Sequence, residues 1–399
     1  MVEYALSGLR VLDVSHYISG PYCTKLLAGL GAEVIKIERP GDGDGARRLG
    51  PFPNDEPHPE KSGLFLYLNT NKKGIGLNLK TEMGRSIFKE LVKSSDIVIE
   101  NFEPRVMPSL GLSYDELSQV NPRLIMASIS NFGQTGPYRD YRAEEIVVYA
   151  MGGLMHITGE PDQEPVKSGA ELSQFGTGQD AFVATLTALY HRDRSGEGQY
   201  IDISIVEHNT TILENMLMMY TYKGDVMPRA GNRGWGRAAW GIYPCQDGYV
   251  GVIAGPAHRW PAMAELMDEP ELLDPRFATE HGRVLYADLV DAYMLPWLVQ
   301  HDKLEIFQKA QDMGLAFAYV TTAEDLLNSP QLQDRQYFVE IDHPYAGKLA
   351  YPGAPYKMSE ASWRFDRAPL LGEHNQEIYC GSLGFSLEEL RMLKERGVI

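Results

Sequence analysis

Within its first forty residues the chain writes a strand–helix–strand unit. Leu9-Arg-Val-Leu-Asp-Val-Ser15 is a short apolar run of strand type, and Ala32-Glu-Val-Ile-Lys-Ile37 is a second. Between them, Ser19-Gly20-Pro21 reads as a turn, Cys23 to Leu30 as a short helix and Gly31 as its stop. Strands joined this way run parallel, because the crossover helix returns the chain to the starting edge. Such a sheet takes its ligands beyond the carboxyl ends of its strands. The turn after the first strand lacks Gly-x-Gly-x-x-Gly. Arg39 follows the second strand, where a dinucleotide fold places an acid on the ribose. The unit therefore predicts a phosphorylated nucleotide other than NAD.

The alternation continues. Gly74–Asn78, Asp96–Glu100, Leu124–Ile129 and Gln199–Ile205 read as strands. Thr81 to Lys93, Ser113 to Val120, Glu145 to Met151, Gly178 to Arg192 and Val206 to Tyr222 read as helices. Ser113 with Glu116 forms a capping box. The pattern predicts a doubly wound, mostly parallel sheet. Residues 224–241 are rich in Gly and Arg and read as a loop. A hairpin follows, turning at Gln246-Asp247-Gly248.

Net charge is −17, which argues against nucleic acid as a partner, since phosphate contacts need clustered Lys and Arg. An anionic ligand then needs a local basic pocket set against that global field. No apolar run approaches the ~20 residues of a membrane helix, and no secretory leader is expected. Cys23, Cys245 and Cys380 form neither a disulfide framework nor a metal-binding pair, so a cytoplasmic location is expected. The ten histidines show no metal-ligand spacing.

Gly8-Leu-Arg-Val-Leu-Asp13, Ser19-Gly-Pro21, Gly31 to Gly41, Asn69-Thr-Asn-Lys-Lys73 and Asp96 to Phe102 occur in this order. Gly133-Gln-Thr-Gly-Pro137, Arg194 to Gln199, Ala368 to His374 and Leu383 to Glu389 follow. With these motifs over nearly its whole length, the chain resembles the class III CoA-transferases, among them formyl-CoA transferase, carnitine CoA-transferase and the 2-methylacyl-CoA racemases. The resemblance implies an α/β fold with a Rossmann-like large domain built from both chain ends. A smaller central domain completes it, and two subunits interlock as a ring-like homodimer. The expected boundaries are 1–224 for the large domain, 225–330 for the small one and 331–399 for the return to the large one. The implied substrates are an acyl-CoA thioester and a free carboxylic acid, with no tightly bound cofactor and no metal.

Carried over position by position, the resemblance implies a CoA site of His16, Tyr17, Ile18, Arg39, Leu77, Lys80, Asn101, Phe102 and Arg142. Arg39 and Lys80 approach the ADP phosphates. A guanidinium holds two phosphate oxygens at once, whereas an ammonium acts as a point charge. Tyr17 and Ile18 follow the first strand, Leu77, Asn101 and Phe102 lie beside adenine and pantetheine, and Arg142 stands where some relatives carry lysine. The bland alternatives are core packing for Leu77 and Phe102 and a solvent-facing loop for His16.

One position departs from the family. The transferases carry a nucleophilic aspartate that aligns, through Ser168 to Gly178, with Gln174. A neutral amide cannot form the acyl-enzyme anhydride, though its NH₂ can donate to a thioester oxygen or an enolate. The racemases pair that aspartate with a histidine, whose position aligns with Glu144. Gln174 and Glu144 are therefore the candidate catalytic pair, with Glu144 a lone base if burial raises its pKa. Glu171 and Asp180 are nearby carboxylates, the latter in the first turn of the expected helix. Three readings follow. The first is a CoA-transferase with an altered or non-covalent route. The second is a CoA-thioester isomerase, racemase, dehydratase or lyase. The third is a non-catalytic CoA-ester-binding protein.

Overall fold

The computed structural model describes residues 4–234 and 236–399; Trp235, within the stretch 224–241 expected to be a loop, lies outside the described residues. Six strands form one parallel sheet: β1 Arg10–Asp13, β2 Glu33–Glu38, β3 Lys73–Gly76, β4 Ile97–Glu100, β5 Ile125–Ser130 and β6 Gln199–Ser204. Their spatial order is β3-β2-β1-β4-β5-β6, and every pairing is parallel. This is the doubly wound order, in which the chain changes direction across the sheet between β1 and β4 and opens a crevice beyond their carboxyl ends.

Strand side chains alternate between faces. Leu12, Ile35, Ile37 and Val98 join a core with Ile87, Phe88 and Leu91 of the Glu82–Lys93 helix. Val11, Val34, Ile97 and Ile99 face the other way, onto Cys23, Leu26 and Leu27 of helix α1 (Ser19–Gly29) and Ala181 and Ala188 of the Leu172–Ser195 helix. Both faces are covered, which accounts for the near-continuous apolar composition of the inner strands.

Two expectations shift. The segment Ser19-Gly20-Pro21 is not a turn but the opening of α1; proline is tolerated in a first turn, where its missing N–H has no intrahelical partner to lose. The helix expected over 206–222 is two helices, Ile205–Thr211 and Met216–Lys223, with Glu214 at φ +52° between them.

The chain divides into two compact units. The larger holds the parallel sheet, residues 168–214, and the segment from Asp334 onward with the antiparallel hairpin β10 (Phe338–His343) and β11 (Gly347–Pro352). The smaller comprises Met155–Lys167 and Asn215–Gln333, wider than the expected 225–330. Arg229 supplies one reason, since its guanidinium donates to the carbonyls of Glu160, Pro161 and Gln163. The smaller unit packs Trp260, Met263, Phe277 and Met294 beneath an antiparallel sheet of β7 (Trp240–Cys245), β8 (Gly248–Ile253) and β9 (Ala316–Tyr319). None of the described helices is long and apolar enough to cross a membrane.

Candidate active site

A cleft of about 340 Å³ opens at the carboxyl ends of β1 to β4. His16 and Tyr17 come to it from the β1 exit, Arg39 from β2, Leu77 and Lys80 from β3, and Phe102 from β4. The remaining expected ligand residues lie elsewhere. Ile18 is nearly buried at the N-cap of α1. Arg142 is exposed and does not line the cleft. Asn101 sits behind the wall: its Oδ1 accepts the His16 N–H (2.7 Å) and its Nδ2 donates to the His16 carbonyl (2.8 Å). It ties the β1 exit to the β4 exit. Phe102 tilts onto the His16 ring, with centroids 5.5 Å apart.

Arg48, which the sequence reading missed, joins Arg39 and Lys80 on the lining. Arg39 pairs with Asp42 (3.1 Å), and Arg48 donates to the Asp42 carbonyl (3.0 Å). Three cations thus stand at one rim of a strongly acidic chain.

Beneath the rim lies a buried ionic network. Lys36 pairs with Asp44 (2.8 Å) and Asp13 (3.8 Å) and donates to the Ser15 carbonyl. Lys72 pairs with Asp13 (3.0 Å) and donates to the Pro21 carbonyl and Asn69 Oδ1 (both 2.9 Å). Arg47 holds Glu38 through two bonds of 2.7 Å and also meets Glu60 (2.6 Å). Burial pushes the Asp13 carboxyl up, but the Lys36 and Lys72 ammoniums and the Ser15 and Thr24 hydroxyls outweigh it and hold the group at about 2. Asp44 Oδ1 accepts the Tyr17 N–H (3.0 Å), which secures Tyr17 at φ +62°, a region that side chains disfavour. The Tyr17 ring fills the space above Gly45, where a Cβ would lie 2.3 Å from it.

A second locus is the start of the Leu172–Ser195 helix. Gln174 is its third residue, part-buried. Glu145, 5% exposed, accepts the Ser173 N–H through Oε1 (2.9 Å), while its Oε2 has no hydrogen-bond partner among the described residues. Glu144 is exposed at the N-cap of the Glu145–Met151 helix. The carboxylate brought to the turn of Gln174 is therefore that of Glu145. A signal existed in the sequence: Glu145 is in helical phase with Val148 and Tyr149, which are buried with it. Phe175 lays its ring edge-on to Tyr22 of α1, with centroids 5.0 Å apart. A Cβ at Gly178 would stand 2.5 Å from the Ser19 carbonyl oxygen. The first turns of these two helices thus adjoin. Asp180 pairs with His208 (2.6 Å). Among the described residues no cluster of His, Cys, Asp or Glu could hold a metal ion.

Residues 6–375 match the model of CoA-transferase family III, and the chain belongs to that family. It is 36% identical to the formyl-CoA:oxalate CoA-transferase of Streptomyces avermitilis, over 99% of both chains. It is 35% identical to the succinyl-CoA–D-citramalate CoA-transferase of Chloroflexus aurantiacus, over 99% of this chain and 98% of the other. Among solved structures, a CAIB/BAIF family protein from Brucella suis superposes with a TM-score of 0.86 at 30% identity, over 95% of this chain and 99% of that one.

Proposed function

We propose that this member of CoA-transferase family III moves CoA from an acyl-CoA thioester to a free carboxylic acid, by a route in which no protein carboxylate is acylated. The observation that carries the CoA site is the cleft at β1 to β4, whose rim gathers Arg39, Arg48 and Lys80 on a chain of net charge −17. Guanidinium and ammonium groups hold the phosphates there, and Leu77 and Phe102 flank the apolar parts of the coenzyme. The transferase reading is supported by the two relatives, which are both named for transfer of CoA between acids.

Gln174 governs the route. The acceptor carboxylate attacks the thioester carbonyl, the C–S bond breaks, and CoA leaves as thiolate. The thiolate then attacks the acceptor-derived carbonyl of the mixed anhydride, whose C–O bond breaks to release the donor acid. Charge develops on carbonyl oxygen in each step. The Gln174 amide donates to that oxygen, and Glu145 holds the helix start that presents Gln174. The reading also makes the protein one half of an interlocked homodimer, which sedimentation equilibrium would check.

Intact-protein mass spectrometry after incubation with acyl-CoAs, with hydroxylamine or borohydride trapping, tests the route. Turnover with no adduct is expected for the native chain, and Gln174→Asp is expected to acquire one. An adduct on the native chain, mapped to Glu145, Glu171 or Asp180, would replace the direct route with a covalent one.

A further inference from the structure

Lys25 lies on α1 one helical turn after Tyr22. Its ammonium donates to the Tyr67 carbonyl (2.8 Å) and Thr70 Oγ1 (3.0 Å) and stands 4.2 Å from the Tyr67 ring centroid. The interior cations of this unit meet carboxylates: Lys36 meets Asp44, Lys72 meets Asp13, Arg47 meets Glu38 and Arg192 meets Asp96. Lys25 has no carboxylate within ion-pair distance among the described residues, and both its hydrogen-bond acceptors are neutral. Burial, and then the charge of Lys72, pushes its ammonium down to about 7. A desolvated cation without a counter-ion is costly to keep and favours any anion that reaches it.

The neighbours of Lys25 are donors as well. The hydroxyls of Tyr22 and Tyr67 have no hydrogen-bond partner among the described residues, and burial raises both phenols above their ordinary range, so they stay protonated. The cluster also adjoins the reacting turn. Phe175, next to Gln174, contacts both rings, at 5.0 Å to Tyr22 and 6.4 Å to Tyr67 between centroids.

We propose that Lys25, with the hydroxyls of Tyr22 and Tyr67, forms a subsite for the non-reacting carboxylate of a dicarboxylic acid substrate. The non-reacting end is the one to hold, because an ammonium bonded to the attacking oxygens would lower their nucleophilicity. Anchoring the far carboxylate leaves the near one free at Gln174 and supplies orientation. The subsite rests on the transferase reading and sets its substrate class.

Two measurements test it. The first is kinetic, comparing glutarate with pentanoate, an acid of the same length and one carboxylate, each with acetyl-CoA as donor. Lys25→Met is expected to lower kcat/KM for glutarate about 30-fold, the worth of one charge-assisted contact. It should leave pentanoate and the acyl-CoA KM within twofold, and Lys25→Arg should recover part of the loss. The unchanged acyl-CoA KM shows that the variant is folded. Equal losses for both acids, or none, would overturn the subsite. The second uses no turnover: glutarate, and not pentanoate, is expected to protect Lys25 from trace acetylation by acetic anhydride, read by peptide mass spectrometry. Protection in a protein that transfers no CoA would sink the transferase reading and leave the subsite standing. Transfer without protection would do the reverse.

Discussion

Asp13 and Glu100 are both buried carboxyls at strand ends, and their surroundings send them in opposite directions. Asp13 meets two ammoniums and stays ionised. Glu100 meets only neutral donors, the Ser128 hydroxyl and the Phe102 N–H (2.8 Å), with Asp202 and Tyr200 nearby, and burial pushes it up to about 7. Unfolded, it titrates near 4.5. Between those values the folded chain keeps a proton that the unfolded chain has released, so this group's contribution to stability falls as pH rises through the window. The expected fall is about 3 kcal/mol, about 1.4 kcal/mol per pKa unit. Glu100→Gln should remove that slope, and denaturant titrations of both proteins from pH 4.5 to 7.5 will show it. Parallel stability–pH curves would contradict the assignment. Arg39 was legible from the local pattern of the second strand's exit, and Lys80 and Phe102 from the family resemblance. Glu100 was not, since an acid ending a strand looks the same whether its partner is water or a hydroxyl on the neighbouring strand.

At the scale of elements, α1 and the Leu172–Ser195 helix were the two whose starts the sequence misplaced, each by several residues. Both carry glycine or proline in their opening turns, which local propensity reads as interruption. The physical reason for glycine lies across the interface, at Gly178, where the Ser19 carbonyl approaches too closely for a side chain. Gly178→Ala would gain helix propensity of about 1 kcal/mol and lose more to the clash, because the atom it meets is backbone. A net destabilisation of about 1–3 kcal/mol is expected, with kcat reduced because Gln174 moves with the helix. A thermal melt and an activity assay on the same sample check both effects; a more stable and fully active variant would contradict the close approach.

For the whole molecule, the acidic field of the chain opposes an anionic substrate, and the rim cations must overcome it locally. Changing Arg39 and Lys80 together to Ala is expected to weaken acyl-CoA binding about 30-fold, less than for buried pairs because both groups are exposed. Titration calorimetry at fixed salt would measure the change, and an unaltered affinity would move the CoA site away from this cleft.

The parallel sheet and its strand exits are properties of local sequence, since periodicity and side-chain identity act over a few residues. The bond between Glu145 and the Ser173 N–H, the ionic network joining Asp13, Lys36, Asp44 and Lys72, and the absence of a carboxylate partner for Lys25 among the described residues came only from the tertiary structure. Each depends on which groups meet across tens of residues once water is excluded. Burial strengthens the interactions of the charges it encloses and sets whether each has a partner, and spacing along the chain carries no record of either.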